Sequence, residues 1–296
     1  MTPPPLQARL MLLAAGVLFA TAGAAVKSCE GLSGPEVAAL RSAIAALVLL
    51  AVLPESRRRP DLGVGLAALA YGVMLTLFAT ATKLTTAANV VFLQSTAPLF
   101  VLVLGPLLLG ERARRRDLPI LALLLVGATL FFVAAEEPTA TAPNPALGNM
   151  LGAASGLAWA LTLMGLRALG KRGVNAAAQA TVWGNLLAVL INLPQVDPTR
   201  VLDASLVDWA MLGWLGVFQI GLAYVLIVRA VPAVPAFEVT LLLMTEPAFN
   251  PVFAWLVHGE VPGFYPICGG VLISGALVLK SWLDARSGQS VPPTSP

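Results

Sequence analysis

The chain is poor in charged residues and in the residues that most enzymes and metal sites use. Charged side chains occupy 11% of its 296 positions and hydrophobic ones 58%, whereas roughly 25% of an average soluble domain is charged. It has one histidine and two cysteines, too few for a disulfide framework or a thiolate metal site. These absences exclude a soluble fold, and we interpret Cys29 and Cys268 as small apolar residues.

Motifs of nucleotide binding and hydrolysis are missing as well. No P-loop or dinucleotide fingerprint occurs, so ATP-driven transport is excluded. Intramembrane hydrolysis needs a Ser/His pair, paired aspartates or clustered histidines, yet His258 is the only histidine and no aspartate lies deep in an apolar run. We therefore expect no enzymatic activity, no cofactor and no metal ion. The Lys and Arg residues behind the net charge of +3 lie mostly at the ends of apolar runs, which indicates membrane topology and not a nucleic-acid partner.

Long apolar runs are what the chain has in quantity. Each of ten runs is close to the ~20 residues needed to cross a ~30 Å hydrocarbon core. The predicted spans cover residues 10–26, 36–53, 62–82, 87–109, 118–135, 148–169, 176–193, 207–229, 234–257 and 263–283. The chain then divides into a first five-helix unit at 1–138, a linker outside the cytoplasm at 139–147, a second five-helix unit at 148–284 and a cytoplasmic tail at 285–296.

Basic residues set the orientation of these spans. With the N-terminus in the cytoplasm, fourteen Lys and Arg residues face the inner side, and only Lys27, Lys83 and Arg200 face the outer side. The positive-inside rule thus places both termini in the cytoplasm. Span one is not a cleaved signal peptide in this interpretation, because Phe19 and its neighbours match Trp159 and its neighbours at a constant offset of 140. We expect a multi-pass protein of a bacterial inner membrane.

An internal repeat relates the two units. Residues 92–111 reappear 149 positions later as residues 241–260. The aligned pairs include Pro98 with Pro247, Gly110 with Gly259, and Glu111 with Glu260. Each copy belongs to a unit of five spans, and an odd number of crossings inverts the second unit relative to the first. The sequence therefore predicts an all-α integral membrane fold of ten transmembrane helices in two inverted five-helix repeats.

These features resemble a known family. Each unit has a small-residue turn before its fourth span, a central proline and a Gly-Glu end to that span, as do the EamA-type members of the drug/metabolite transporter superfamily. Within it, the length, the two cytoplasmic ends and the mid-span aromatics are most similar to the YddG-type bacterial exporters of aromatic amino acids. The resemblance covers nearly the whole chain. It implies a carrier whose helices one, three, four, six, eight and nine surround a central cavity, with helices five and ten at the periphery.

The two repeated prolines predict helix kinks. Proline has no N–H, so Pro98 frees the carbonyl of Gln94, and Pro247 frees the carbonyl of Leu243. An unpaired carbonyl in hydrocarbon costs several kcal/mol, so it faces another helix, water or a ligand such as a substrate ammonium. In the alternative, neighbouring hydroxyls satisfy these carbonyls and the kinks only shape the packing. The hydroxyls in reach are those of Ser95, Thr96 and Thr245.

One acidic residue stands out within a span. Glu246 lies about halfway along span nine, where its repeat mate is Ala97. An ionised carboxylate at that depth is costly and usually faces the interior of a bundle. Three roles stay open for it: the proton site of an antiporter, the partner of a substrate amino group, or a protonated structural acid.

Three other charged residues are assigned from their positions. Arg41 is the only cation inside a span, and it either reaches back toward Glu36 at the outer end of span two or holds a substrate carboxylate. Glu111 and Glu260 each follow a glycine at a span end, and we expect them to hold the turn into the next span by accepting backbone N–H groups.

Aromatic residues deep in the spans predict the site. Tyr71 and Phe78 share one helix face with Met74, a stripe that contacts lipid, packs or binds a ligand. Phe19 and Trp159 are repeat mates that approach the central axis from both units. An aromatic lining with little charge favours a bulky apolar substrate whose cation rests on ring faces. The predicted substrate-binding residues are Phe19, Tyr71, Met74, Phe78, Gln94, Trp159, Trp214, Tyr224, Leu243 and Glu246.

The predicted function is a secondary transporter in the lipid bilayer. It exports small neutral or zwitterionic metabolites, above all aromatic and large apolar amino acids. Export of cationic drugs or other metabolites, or a channel, remains the alternative. Gly152 and Gly156 form a GxxxG that pairs helices within one chain or between chains, so the oligomeric state stays open with a monomer favoured.

Overall fold

The computed structural model describes residues 5–57, 59–108, 117–133, 137–169, 174–230, 233–234, 239 and 242–286. This part of the chain is helical and contains no β-strand. Its α-helices are α1 (Pro5–Ala20), α2 (Ala22–Ser28), α3 (Gly34–Val52), α4 (Leu62–Leu84), α5 (Ala87–Gln94), α6 (Ala97–Leu108), α7 (Leu118–Val133), α8 (Pro145–Leu169), α9 (Val174–Asn192), α10 (Pro198–Leu202), α11 (Leu206–Gly213), α12 (Ala223–Ala230), α13 (Thr245–His258) and α14 (Phe264–Arg286). A π-helix, Trp214–Leu222, joins α11 to α12, and short 3-10 turns cover Pro54–Arg57 and Leu193–Gln195.

In the part of the chain that the structure describes, eight helical segments are long and apolar enough to cross a membrane. They are Leu6–Ser28, Gly34–Val52, Leu62–Leu84, Ala87–Leu108, Pro145–Leu166, Ala176–Gln195, Leu206–Ile227 and Phe264–Leu283. The predicted fifth span corresponds to α7, an apolar helix of 16 residues. The predicted ninth span begins among residues outside the described part, and α13 covers its second half. The multi-pass helical class is thus confirmed, and the count of ten stays a prediction.

Local polar contacts begin and end several of these helices. At the start of α3, the backbone N–H of Ser33 donates to Glu36 Oε2 at 2.7 Å. At the start of α4, Asp61 accepts from the Val64 N–H at 2.9 Å. Both arrangements satisfy N–H groups that a helix leaves without an internal partner. Gly259 ends α13 with a φ of 67°, a left-handed conformation that glycine adopts without a Cβ clash.

Short breaks interrupt three of the predicted spans. Span one breaks at Thr21, span four at Ser95 and Thr96, and span nine at Met244. Ser95 and Met244 are 149 positions apart, which is the repeat offset, and each lies three residues before a repeated proline. The prolines therefore interrupt equivalent spans at equivalent positions, as their missing N–H groups require.

The hydroxyls near these breaks do not satisfy the carbonyls that the prolines free. The hydroxyls of Ser95, Thr96 and Thr245 donate to the carbonyls of Val91 (2.8 Å), Leu93 (2.6 Å) and Leu242, respectively. A hydroxyl has one hydrogen to donate. The alternative in which these three hydroxyls satisfy the carbonyls of Gln94 and Leu243 is therefore wrong.

Helix α4 packs against helices of both units. It contacts α3, α8 and α9, while α1 contacts α12 and α13, α3 contacts α9 and the π-helix, and α5 contacts α8 and α13. A Cβ on Gly72 would lie 2.8 Å from the carbonyl oxygen of Gly184, so α4 and α9 cross in close backbone contact. A Cβ on Gly156 would lie 2.8 Å from the carbonyl oxygen of Leu93, so this half of the GxxxG packs within the chain. Helices α7 and α14 pack mainly against each other.

Candidate substrate-binding site

Four of the predicted aromatic residues form one continuous chain of rings. The Tyr224 ring makes edge contacts with Phe19 at a centroid distance of 5.6 Å and with Tyr71 at 5.7 Å. Tyr71 in turn lies 6.5 Å from Trp159. The four rings come from α1, α4, α8 and α12, so both halves of the chain contribute two of them. Edge-to-face geometry at these distances is the favoured arrangement of aromatic pairs.

The stripe on α4 faces the interior of the bundle. Tyr71, Met74 and Phe78 are exposed by 2%, 7% and 5%, so the lipid-facing alternative is wrong. They belong to the largest buried apolar cluster, which also includes Val182 of α9 and Ile220 of the π-helix. Phe19, Trp159 and Tyr224 stay partly exposed in the same region. The α4 stripe is therefore more deeply buried than the rings of Phe19, Trp159 and Tyr224 beside it.

Glu246 lies at the start of α13 with its carboxylate near the ring chain. The Tyr224 hydroxyl is within electrostatic range of this carboxylate. Glu246 is partly exposed, and no cation of the described residues acts on it. Leu243, whose carbonyl is freed, is also partly exposed, whereas Pro247 is buried. The Glu246 carboxyl group thus lies near the aromatic rings at a helix break, and no cation of the described residues pairs with it.

Arg41 does not reach Glu36. Its guanidinium is buried with the side chain 1% exposed, its Nη2 donates to the Leu75 carbonyl at 2.9 Å, and it lies 5.7 Å from the centroid of the Phe78 ring. Glu36 is instead held by Ser33 and by Arg200, whose Nη1 lies 3.3 Å from its carboxylate. The prediction that Arg41 reaches back to Glu36 is therefore wrong. Glu36 is bound by Ser33 and Arg200 at the outer end of α3, and Arg41 lies more than one turn further into the helix.

Three predicted residues lie elsewhere. Trp214 is 36% exposed, donates to Thr21 Oγ1 at 2.9 Å and contacts the Phe218 ring at 5.0 Å, away from the ring chain. Pro98 lines an apolar groove on the side of α6 and α8, with Lys280 at its rim. Gln94 lies at the break of span four, where its amide is 3.5 Å from Ser155 Oγ. Trp214 and Gln94, which were predicted to bind substrate, and Pro98, which was predicted as a helix kink, thus make their contacts outside the ring chain.

Buried polar residues that the sequence did not single out also reach this region. The amide of Asn250 in α13 donates to the Ala20 carbonyl at 3.0 Å, which satisfies the break in span one. Asn185 in α9 and Gln219 in the π-helix each keep a side-chain oxygen buried without a hydrogen-bond partner. Asn250 could have been found from the sequence, because its repeat mate is the apolar Val101.

A buried ion pair joins the two halves at one end of the bundle. Lys27 Nζ lies 2.6 Å from Glu260 Oε1, donates to the Thr85 carbonyl at 2.8 Å and also contacts the Thr141 carbonyl. Glu260 Oε2 accepts from the Ala87 N–H at 3.0 Å. The expectation that Glu260 holds its own turn is wrong, because its carboxylate crosses to the start of α5. Glu111 lies outside the described residues.

Further polar contacts close the same end. His258 Nε2 lies 3.3 Å from Ser28 Oγ, and the Gly31 N–H donates to Asp208 Oδ1 at 3.3 Å. Both contacts link the first half of the chain to the second. Burial raises the pKa of the Cys29 thiol at this end to about 11, so the thiol stays protonated at neutral pH and behaves as a small apolar group. Within the described residues, no three His, Cys, Asp or Glu side chains are placed to hold a metal ion.

The model of the EamA-like transporter family matches residues 6–133 and 146–282, nearly the whole chain. The chain belongs to the EamA-like transporter family. It is therefore a membrane transporter, which acts on a small-molecule substrate in a lipid bilayer. The two matched ranges fall on the two predicted five-helix units, with the linker between them.

Relatives of this EamA transporter include proteins from two bacteria. It is 26% identical to the pseudopaline exporter CntI of Pseudomonas aeruginosa over 92% of this chain and 95% of the relative. It is 28% identical to the uncharacterized transporter YdfC of Bacillus subtilis over 38% of this chain and 36% of the relative. A crystal structure at 19% identity matches with a TM-score of 0.62 over 95% of this chain and 99% of that one, which shows the fold alone. None of these relatives shows the YddG-type subtype, which stays a prediction.

Proposed function

We propose that this EamA transporter is an alternating-access carrier that exports small neutral or zwitterionic metabolites, with aromatic and large apolar amino acids as preferred substrates. The observation that carries the proposal is the ring chain of Phe19, Tyr224, Tyr71 and Trp159, with the unpaired Glu246 beside it. Ring faces hold an apolar side chain and attract an ammonium, while a carboxylate pairs with that ammonium directly. A phosphorylated substrate would need several convergent cations, which the spans do not offer.

The proposed architecture is ten helices in two inverted repeats, with units at 1–138 and 148–284. The helix contacts support it, because exchanging the first five spans for the last five preserves the main pairs. The contact of α4 with α8 corresponds to that of α12 with α1, and the contact of α5 with α8 corresponds to that of α13 with α1. A carrier of this kind opens alternately by rocking of its halves around a shared site.

The proposed location is a bacterial inner membrane with both termini in the cytoplasm. Lys27 and Lys83 lie together at the end that the ion pair with Glu260 closes, and Arg200 contacts Glu36 near the start of α3 at the same end. These are the basic residues that the positive-inside rule assigns to the outer face. The closed end would then be the outer one, and the partly exposed rings would be reached from the cytoplasm.

Counterflow in liposomes tests the proposal. The purified full chain is reconstituted, loaded with unlabelled tryptophan and supplied with labelled tryptophan, phenylalanine, methionine, a cationic drug or pseudopaline, the last because of the similarity to a pseudopaline exporter. We expect saturable exchange of the three amino acids. Exchange of the drug or of pseudopaline, with no exchange of any amino acid, would overturn the proposed substrate class. Flux that neither saturates nor shows counterflow would indicate a channel.

Glu246→Gln is expected to weaken the apparent affinity for amino acids by about tenfold, the effect of losing roughly 1.4 kcal/mol from a charge-assisted contact. The measurement is counterflow at equal pH on both sides, and then with a pH gradient. Glu30→Gln, at an exposed carboxylate in the turn before α3, is the matched control. It should leave the affinity for amino acids and the response to the pH gradient unchanged. If Glu246→Gln loses only its response to the pH gradient, Glu246 is the proton site. If the variant keeps both its affinity for amino acids and its response to the gradient, Glu246 is structural.

A further inference from the structure

Among the described residues, the buried guanidinium of Arg41 has no negatively charged partner. Its side chain is 1% exposed, its Nη2 donates to the Leu75 carbonyl, and its Nε has no hydrogen-bond partner among the described residues. The ring of Phe78 covers one face at 5.7 Å. A carbonyl and a ring face compensate a buried cation only in part. The free energy needed to remove a full charge from water is far larger than the stabilisation that either contact provides.

The described residues around Arg41 offer no carboxylate. The groups that act on it electrostatically are Tyr71, Cys29 and Tyr224, all of which are neutral at physiological pH when buried. Glu36, the nearest acidic residue along the helix, is bound by Ser33 and Arg200. None of the described residues therefore supplies a counter-charge to Arg41.

We propose that Arg41 binds the carboxylate of the transported substrate, so that the carrier selects molecules bearing both a free carboxylate and an ammonium. This inference rests on the proposed function and narrows its substrate class to zwitterions. The unpartnered Nε–H of Arg41 and its charge suit a carboxylate, because guanidinium N–H groups form charge-assisted hydrogen bonds to carboxylate oxygens.

The position of Tyr224 supports two separate charge sites. Its hydroxyl lies within electrostatic range of both Arg41 and Glu246, and neither of these two is among the charges that act on the other. Arg41 and Glu246 therefore lie apart, each near Tyr224, whose ring contacts that of Tyr71. A zwitterion with an apolar side chain would place its ammonium toward Glu246, its carboxylate toward Arg41 and its side chain on the rings.

A purely structural role for Arg41 makes a different prediction. The contact with the Leu75 carbonyl links α3 to α4, so loss of Arg41 would then impair folding or transport of every substrate alike. Recognition of a carboxylate instead affects only substrates that carry one. The test must therefore compare two compounds that differ in that group alone.

The experiment measures counterflow of phenylalanine and of phenylalanine amide, which keeps the ring and the ammonium but lacks the carboxylate. The native chain should prefer phenylalanine by at least about tenfold. Arg41→Met should lower the affinity for phenylalanine by about tenfold or more and change that for the amide by less than about threefold. Arg57→Met, at an exposed arginine near the end of span two, is the control and should keep the preference.

The outcomes separate this inference from the proposed function. If the native chain exchanges neither compound nor any other amino acid, the proposed function fails. Equal affinity of the native chain for both compounds overturns the role of Arg41, and so does an equal loss for both in Arg41→Met. Where Arg41→Met does not fold, Arg41→Lys keeps the charge without the planar donor group, and a loss confined to phenylalanine supports the role while an equal loss overturns it.

Discussion

Lys27→Met is expected to lower the free energy of unfolding by about 3–5 kcal/mol, the largest effect of any single substitution considered for this transporter. Lys27 and Glu260 are each only 3% exposed, and their charged atoms are 2.6 Å apart. Removal of the lysine leaves the Glu260 carboxylate buried without a counter-charge. It also takes a donor from the Thr85 and Thr141 carbonyls. Chemical unfolding of the purified protein in detergent measures the change.

Two variants make this prediction specific. In Lys27→Met/Glu260→Gln the buried charge is gone and the glutamine still accepts from the Ala87 N–H, so much of the stability should return. Arg200→Met is the matched control, because Arg200 is 51% exposed where it pairs with Glu36, and its loss should cost about 1 kcal/mol or less. A loss below about 1 kcal/mol in Lys27→Met, or a double variant no more stable than the single one, would contradict the interpretation.

Gly184→Ala is expected to lower the free energy of unfolding by about 1–3 kcal/mol and to weaken transport at the same time. A Cβ at this position would lie 2.5 Å from Cδ1 of Tyr71 and 2.9 Å from the carbonyl oxygen of Ala68. The backbone carbonyl cannot turn away as a flexible side chain would, so α9 must move from α4 or the Tyr71 ring must shift. Either change disturbs the ring chain, and unfolding together with phenylalanine counterflow measures both effects.

Gly65→Ala serves as the control for this crossing. Gly65 lies on α4, the helix that carries Tyr71, but a Cβ there meets no atom within 4 Å. Its replacement should leave transport unchanged and stability equal or slightly higher, since alanine favours a helix by about 1 kcal/mol over glycine. If Gly184→Ala behaves like Gly65→Ala, the close approach of α4 and α9 does not position the site.

Much of the fold follows from local patterns. Apolar runs near 20 residues locate the spans, because hydrocarbon leaves a backbone no partner except its own helix. The break at Ser95 and its mate at Met244 follow from the repeated prolines, which remove the same N–H at the same depth. Aromatic residues of the site could be predicted from the sequence for a similar reason. Phe19 and Trp159 stand out as repeat mates in spans of small apolar residues.

The contacts of charged and hydroxyl groups could not be predicted in the same way. Arg41 turns to the Leu75 carbonyl because Arg200, 159 residues later in the chain, already occupies Glu36. Glu260 crosses to Ala87 and Lys27 because the folded bundle brings those groups to its turn. The Ser95 and Thr96 hydroxyls donate to the carbonyls of Val91 and Leu93, whereas the sequence had suggested the carbonyl that Pro98 frees. Each of these contacts depends on partners that are distant in sequence or on the local turn of the backbone.

The sequence by itself determined the membrane class, the positions of the helices, the duplication and the types of residue available for binding, because hydrophobic length and repeat spacing are properties of the chain alone. Only the tertiary structure decided which of those residues meet. It joined Phe19, Tyr71, Trp159 and Tyr224, left Trp214 outside, and buried Arg41 where none of the described residues supplies a counter-ion. Neighbours across a bundle are set by helix crossings such as that of α4 with α9, where two glycines let the backbones touch, and no local pattern encodes that approach.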